Sequence, residues 1–262
     1  MVLESHSGLE RRIDPGREGE RPGQIDAFTF HGKKKAVTFS YDDGVTQDQR
    51  LIRLFEKYGL KCTFNINSGL LGRPGSLIRE DVTVAHVKPR VCEIRAIYEG
   101  HEIAGHTLTH PALSKLSDGD IVKEVEEDRL ALSEIAGYEV VGMAYPGGTG
   151  CINEHVADLV RTKTGIRYAR TTTSTHSFEL QDDLIMFNPT VYHHREWDAL
   201  FALGEAFLSL QPEKPQLFYI WGHAYEFDIH GDWERFEDFC RLISGQADVF
   251  YGTNREVLLD IR

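Results

Sequence analysis

Asp42 and Asp43 stand side by side at the end of an apolar run and are followed by Gly44. Adjacent carboxylates repel each other unless a cation lies close by, and a bound metal ion is one way to supply it. The same three residues also suit an ordinary turn. Further along, His106 and His110 enclose Thr107-Leu108-Thr109. Neutral imidazole is a common metal ligand, and a helical turn between the two would face both rings to one point. The spacing matches the HExxH motif of metalloproteases, but Thr107 stands where that motif needs glutamate, so that mechanism fails. Asp43, His106 and His110 together offer one oxygen and two nitrogens. Three protein ligands leave a coordination position open, as a catalytic rather than a structural ion requires. Asp42 is then left beside the ion as a general base. His223 closes the run Ile220-Trp221-Gly222-His223, where it could give a proton to a leaving group or simply hydrogen-bond to backbone at the edge of the core. Tyr145-Pro146-Gly147-Gly148 reads as a strand running into a sharp turn. Its glycines allow a backbone N–H to approach a ligand and stabilise an oxyanion, or merely end the strand.

The elements that must position these groups alternate between strand and helix. AVTFSY (36–41) is a β-favouring run, and 47–58 carries Leu51, Leu54, Phe55 and Tyr58 at helical spacing before Gly59. Strands are expected at 62–67, 101–106, 140–145, 166–170, 184–188, 216–222 and 247–252. Helices are expected at 90–99, from the Ser117 cap to 136, and at 153–163, 195–209 and 232–243. About seven strand–helix repeats with short connections predict an α/β fold, a single distorted (β/α) barrel with parallel strands, in preference to an open doubly wound sheet. Residues 68–89 break the rhythm and read as an inserted hairpin or lid. The polar clusters all fall just after strands, and catalytic groups of such barrels lie at the C-terminal strand ends.

The 262 residues are enough for one large domain. Residues 1–24 are polar and rich in Gly and Pro and read as a flexible arm, leaving 25–262 as the folded unit. The net charge of -12 disfavours nucleic acid and anionic membrane surfaces as partners. The four cysteines are far apart and form no CxxC pair, so unpaired thiols are expected rather than a cysteine metal site. The first residues contain no apolar core of signal-peptide length, which gives the expectation of a cytoplasmic protein. Oligomeric state is not legible.

Four pieces in this order resemble the polysaccharide deacetylase family, also called the NodB-homology domain or carbohydrate esterase family four. They are Thr38-Phe39-Ser40-Tyr41-Asp42-Asp43-Gly44, Gly105-His106-Thr107-Leu108-Thr109-His110-Pro111, Tyr145-Pro146-Gly147-Gly148 and Gly222-His223. The resemblance spans roughly residues 34 to 225. It implies a hydrolase that removes acetyl groups from a carbohydrate, with N-deacetylation of an N-acetylated sugar ahead of O-acetyl ester cleavage, a small non-sugar amide or a silent binding protein. It implies a divalent ion on Asp43, His106 and His110, zinc foremost, with cobalt, nickel or manganese also suited to that set. It assigns Asp42 as base, His223 as acid and the N–H of Gly147 to the oxyanion, with Tyr145 and Pro146 in the same turn. Trp221 and Tyr225 are candidates for stacking on a sugar ring, against plain core packing. Three departures stand out. Ala144 occupies the place of an arginine that pairs with the base, so the base loses a nearby cation unless another group compensates. Gly147 replaces an aromatic wall of the acetyl pocket. The group that orients the acid histidine has no clear counterpart, with Asp182, Asp183, Arg195 and Asp198 all open.

Overall fold

The computed structural model describes residues 29–148 and 150–260. The 1–24 arm lies outside these described residues. The strands are β1 (Lys35–Asp43), β2 (Cys62–Ile66), β3 (Ser76–Arg79), β4 (Val82–Ala85), β5 (Glu102–Gly105), β6 (Gly142–Ala144), β7 (Tyr168–Arg170), β8 (Val191–Tyr192), β9 (Gln216–Gly222) and β10 (Val249–Tyr251). The helices are α1 (Asp48–Tyr58), α2 (Val91–Ile97), α3 (Asp118–Ala136), α4 (Glu154–Lys163), α5 (Trp197–Ser209), α6 (Phe227–His230), α7 (Trp233–Ile243) and α8 (Asn254–Leu258).

The main sheet runs β7-β6-β5-β2-β1-β9-β8. Its pairings are parallel, and β10 joins β1 below β2, with Lys35 opposite Val249. The segment 187–193 reaches both open edges. Phe187 N donates to Ala169 O at 3.0 Å beside β7, and Thr190 N donates to Tyr219 O at 2.9 Å beside β9. The sheet therefore curls into the expected distorted barrel. The strand expected at 184–188 is displaced. The Asp183 side chain accepts from Ile185 N at 2.9 Å and winds Leu184–Met186 into a 3-10 turn, so only Phe187 bridges to β7. Pro189 has no N–H for a ladder, and regular pairing resumes at Val191. Residues 68–89 contain the antiparallel β3–β4 hairpin. None of the helices among the described residues is long and apolar enough to cross a membrane.

Strand β1 shows how the two faces divide. Val37, Phe39 and Tyr41 point outward into the largest apolar cluster, together with Leu51, Phe55 and Phe236 from the flanking helices. Phe39 and Phe55 rings lie 4.7 Å apart, and burial of each such ring is worth about 2–3 kcal/mol. The alternate positions Thr38, Ser40 and Asp42 face a polar barrel interior. There Asn65 Nδ2 donates to Ser40 Oγ and Asp42 Oδ1, both at 2.8 Å. Deeper down, Glu102 accepts from Thr63 at 2.7 Å and Tyr168 at 2.8 Å. Helix α8 closes that end: Asn254 N donates to Thr63 Oγ1 at 2.8 Å, and Asn254 Nδ2 donates to Tyr219 OH at 2.6 Å. The interior is fixed by paired polar groups, which hold geometry more tightly than an apolar filling because each lost partner leaves a costly orphan. Among the described residues, all four thiols are unpaired.

Candidate active site

Most polar groups of the site leave the barrel at a strand's C-terminal end. Asp42 and Asp43 end β1, His106 follows β5, Gly147 follows β6 closely, Arg170 ends β7 and His223 follows β9. All but the buried Arg170 line a cavity of about 400 Å³.

The donor atoms of Asp43, His106 and His110 all lie within 4.8 Å of one another. Asp43 Oδ1 is 3.8 Å from His106 Nε2 and 3.6 Å from His110 Nε2. His106 Nδ1 donates to Ala144 O at 2.8 Å, which fixes the tautomer and turns the lone pair of Nε2 toward the site. That Nε2 is buried and has no hydrogen-bond partner. Burial pulls the His106 pKa down to about 4, so the ring is neutral and its lone pair is free. Burial alone would push the Asp43 carboxyl up. A hydrogen bond from His86 and the positive charges of His223 and Lys88 outweigh it and hold the carboxyl well below the usual range. Two buried or half-buried imidazoles and an ionised carboxylate, aimed at one point with one nitrogen orphaned, fit a divalent ion of the zinc type.

No helical turn brings the two histidines together. Thr107 and His110 have φ of 66° and 62°, and Asp43 has φ of 80°, a left-handed conformation that costs an L-residue about 1–2 kcal/mol. Neighbouring contacts fix these positions. Lys88 Nζ donates to Asp43 O, and Asn67 Nδ2 donates to Thr107 O at 3.0 Å. Asp128 on α3 accepts from His106 N at 2.9 Å and from Ser68 N at 2.7 Å.

Asp42 is fully paired. Arg170 Nη2 donates to its Oδ2, and Asn65 holds its Oδ1. Arg170 is completely buried, and its guanidinium lies 4.3 Å from the centre of the Trp221 ring. Ala144 and Arg170 are register partners on neighbouring strands. The cation absent at Ala144 is thus supplied from one strand over.

Across the cavity, His223 Nδ1 lies 3.1 Å from Glu226 Oε1. Burial disfavours the imidazolium, but the Glu226 charge and contact, with Asp43 and Asp42 beyond, raise the His223 pKa above its usual value. Glu226, which burial would push up, is drawn down to about 2 by His223, His193 and Arg79. Arg79, from the end of β3, is 2.9 Å from Glu226 Oε1 and donates to Tyr192 OH at 2.8 Å and Tyr225 OH at 3.0 Å. The group beside His223 is therefore Glu226. Asp183 instead pairs with Arg161 and Asp198 with Arg235, Asp182 is exposed, and Arg195 lines the cavity.

The structure brings Asp42, Asp43, His106, His110, Gly147, Trp221, Tyr225 and His223 to one cavity. Gly147 has φ of 75°, and a Cβ there would sit 2.7 Å from Cys151 Sγ, so the turn excludes the aromatic. Tyr145 and Pro146 lie beneath this wall, with Tyr145 in an apolar cluster beside Met143 and Val156. Trp221 is sandwiched, Arg170 at 4.3 Å and Tyr192 stacked at 4.3 Å, so its faces are already covered. Sequence reasoning passed over Arg170, Glu226, Arg79 and His86. Arg170 shares an inward face with Tyr168, and Glu226 stands three residues after His223, so both left a readable signal. Arg79 and His86 left none, because only the hairpin's docking brings them near.

A sequence model of the family described as polysaccharide deacetylase matches residues 31–169. The peptidoglycan-N-acetylglucosamine deacetylase PgdA of Listeria monocytogenes is 24% identical over 129 residues, covering 48% of this chain and 24% of that protein. The chain thus spans about a quarter of the length of the first curated relatives it matches. The family 4 carbohydrate esterase from Streptomyces lividans, solved with acetate, superposes with a TM-score of 0.52 at 14% identity, over 87% of this chain and 95% of that one. The polysaccharide deacetylase Bc1974 from Bacillus cereus gives 0.52 at 16% identity, over 86% and 94%. These two likenesses show a shared fold.

Proposed function

Because this chain belongs to the polysaccharide deacetylase family, we propose that it is a divalent-metal-dependent hydrolase that removes the acetyl group from an N-acetylated sugar or oligosaccharide. The observation that carries the reading is the meeting, around one cavity, of three convergent metal donors, a carboxylate clamped by a buried arginine and a histidine held by a buried glutamate. Asp43, His106 and His110 would hold the ion, which when bound supplies Lewis-acid polarisation of an acetyl carbonyl and acidifies a water.

The residues of the chain do the rest. Asp42 removes the proton from the attacking water. Arg170 and Asn65 hold its two carboxylate oxygens in place. The N–H of Gly147 faces the carbonyl oxygen as negative charge develops on it. His223 protonates the departing nitrogen, and Glu226 holds the ring and keeps it cationic to higher pH than a free imidazole. An amine leaves poorly without that proton and an alcohol leaves more readily. A histidine with a raised pKa therefore favours amide over ester as the natural substrate. The related PgdA is by name an N-acetylglucosamine deacetylase acting on peptidoglycan, which supports the same class of substrate.

Acetate release from N-acetyl chito-oligosaccharides and from acetylated xylo-oligosaccharides, measured side by side with zinc or cobalt restored, tests the reading. Faster release from the chito-oligosaccharides, with His223→Ala lowering that rate more than the ester rate, is expected. Release from the xylan panel alone would make the protein an O-acetyl esterase. Undiminished N-deacetylation by His223→Ala would remove the acid from the mechanism.

A further inference from the structure

We propose that Glu80, His194 and His230 form a second divalent-cation site, which fastens the β3–β4 hairpin across the mouth of the barrel. The three side chains come from separate parts of the chain: the turn between β3 and β4, the loop after β8 and the last residue of α6. Their donor atoms all lie within 4.8 Å of one another. Glu80 Oε1 is 3.1 Å from His194 Nε2, and Glu80 Oε2 is 2.8 Å from His230 Nε2. The two imidazole rings are stacked, 5.7 Å apart and 10° from parallel, so both nitrogens reach the same carboxylate.

The donor set repeats the chemistry of the first site, two imidazoles and one carboxylate with room for water or a further ligand. A tetrahedral zinc ion about 2.0–2.1 Å from each donor sets the donors ~3.3 Å apart. The ion would therefore replace the two hydrogen bonds with small movements of the side chains. His194 is anchored, its side chain 3% exposed, while Glu80 and His230 are 37% and 50% exposed and leave a path from solvent. The turn itself does not call for glutamate. Glu80 and Asp81 are both left-handed, with φ of 52° and 62°, where a two-residue hairpin loop favours Asn-Gly. A glutamate there is explained by what its carboxylate reaches.

The consequence lies one residue away. Arg79 holds Glu226, Tyr192 and Tyr225. An ion on Glu80 pins the hairpin at the point from which Arg79 reaches into the cavity. This inference does not depend on the chemistry at Asp43.

Zinc content per chain after saturation with zinc chloride and removal of free metal is the test, with folding checked by circular dichroism. Two ions are expected in the wild type, one in His230→Ala, one in Asp43→Ala and none in the double variant. In the Asp43→Ala background, zinc is also expected to slow amide hydrogen exchange over residues 76–85. Equal zinc content in the wild type and His230→Ala, or no bound zinc in Asp43→Ala together with unchanged exchange of the hairpin, would overturn the second site. Loss of the ion only in Asp43→Ala would leave the catalytic reading intact, so the two can fail separately.

Discussion

Arg170 and Asp42 make a buried pair in which neither partner has water to fall back on. Breaking such a pair leaves one charge stranded, at a cost of about 3–5 kcal/mol. Arg170→Met should therefore lower the urea-unfolding free energy by that order and lower kcat/KM by about 100-fold, the range of a general base removed from its working state. Since Ala144 is the register partner of Arg170, the double variant Ala144→Arg with Arg170→Ala should recover part of the lost activity. No recovery over Arg170→Ala would mean that the strand of origin matters as well as the charge. Glu226 is open to a test by pH. Its charge raises the His223 pKa, so the imidazolium persists to higher pH, and the alkaline limb of kcat should lie higher than for a free imidazole. Glu226→Gln removes that charge, lowers the pKa and should move the limb to lower pH. A limb that does not move would exclude His223 as the group titrating there. The residues proposed to hold the ion and to react could be picked out because residue type and close spacing mark them. The supporting charges could not, because Arg170 lies 128 residues from Asp42 along the chain and meets it only through the sheet.

At the scale of elements, the period-two pattern of β1 already separates the outward Val37, Phe39 and Tyr41 from the inward Thr38, Ser40 and Asp42. That alternation is the part of the barrel written most plainly in the sequence. The backbone of the motif loops was not: a helical turn was the simplest way to join His106 and His110, but left-handed Thr107 and His110 do it instead, supported by Asn67 and Asp128. Asp128→Ala should leave Ser68 N and Oγ without their acceptor and His106 N with Ile66 O alone, at a cost of about 2 kcal/mol, and weaken zinc retention as the His106 loop loosens. Gly222 shows a different constraint. A Cβ there would lie 1.8 Å from Nδ1 of the buried His193, whose ring is stacked 4.4 Å from Phe227. Gly222→Ala should cost about 3 kcal/mol in denaturant unfolding as that stack is pushed apart. A change within the noise of the measurement would mean that the residues around His193 yield more easily than their packing implies.

For the whole molecule, the parallel barrel gathers groups from six chain segments at one rim, and the inserted hairpin brings Arg79, His86 and Lys88 to the same place. Strand–helix alternation was enough to expect the barrel and to place its polar clusters at one end. The interruption at 68–89 marked the hairpin but not what it carries, since a docked insert has no period of its own to read. The barrel interior adds support: a column of hydrogen-bonded polar side chains runs from Glu102 and Asn254 up to Asp42 beneath the base. The most direct test is acetate release from N-acetyl chito-oligosaccharides by the metal-stripped protein, the zinc-restored protein and zinc-loaded Asp42→Asn. Negligible release when stripped, recovery with zinc and at least a 100-fold loss in Asp42→Asn with its zinc still bound are the predicted result. Full release without metal, or an Asp42→Asn variant as fast as wild type, would contradict it.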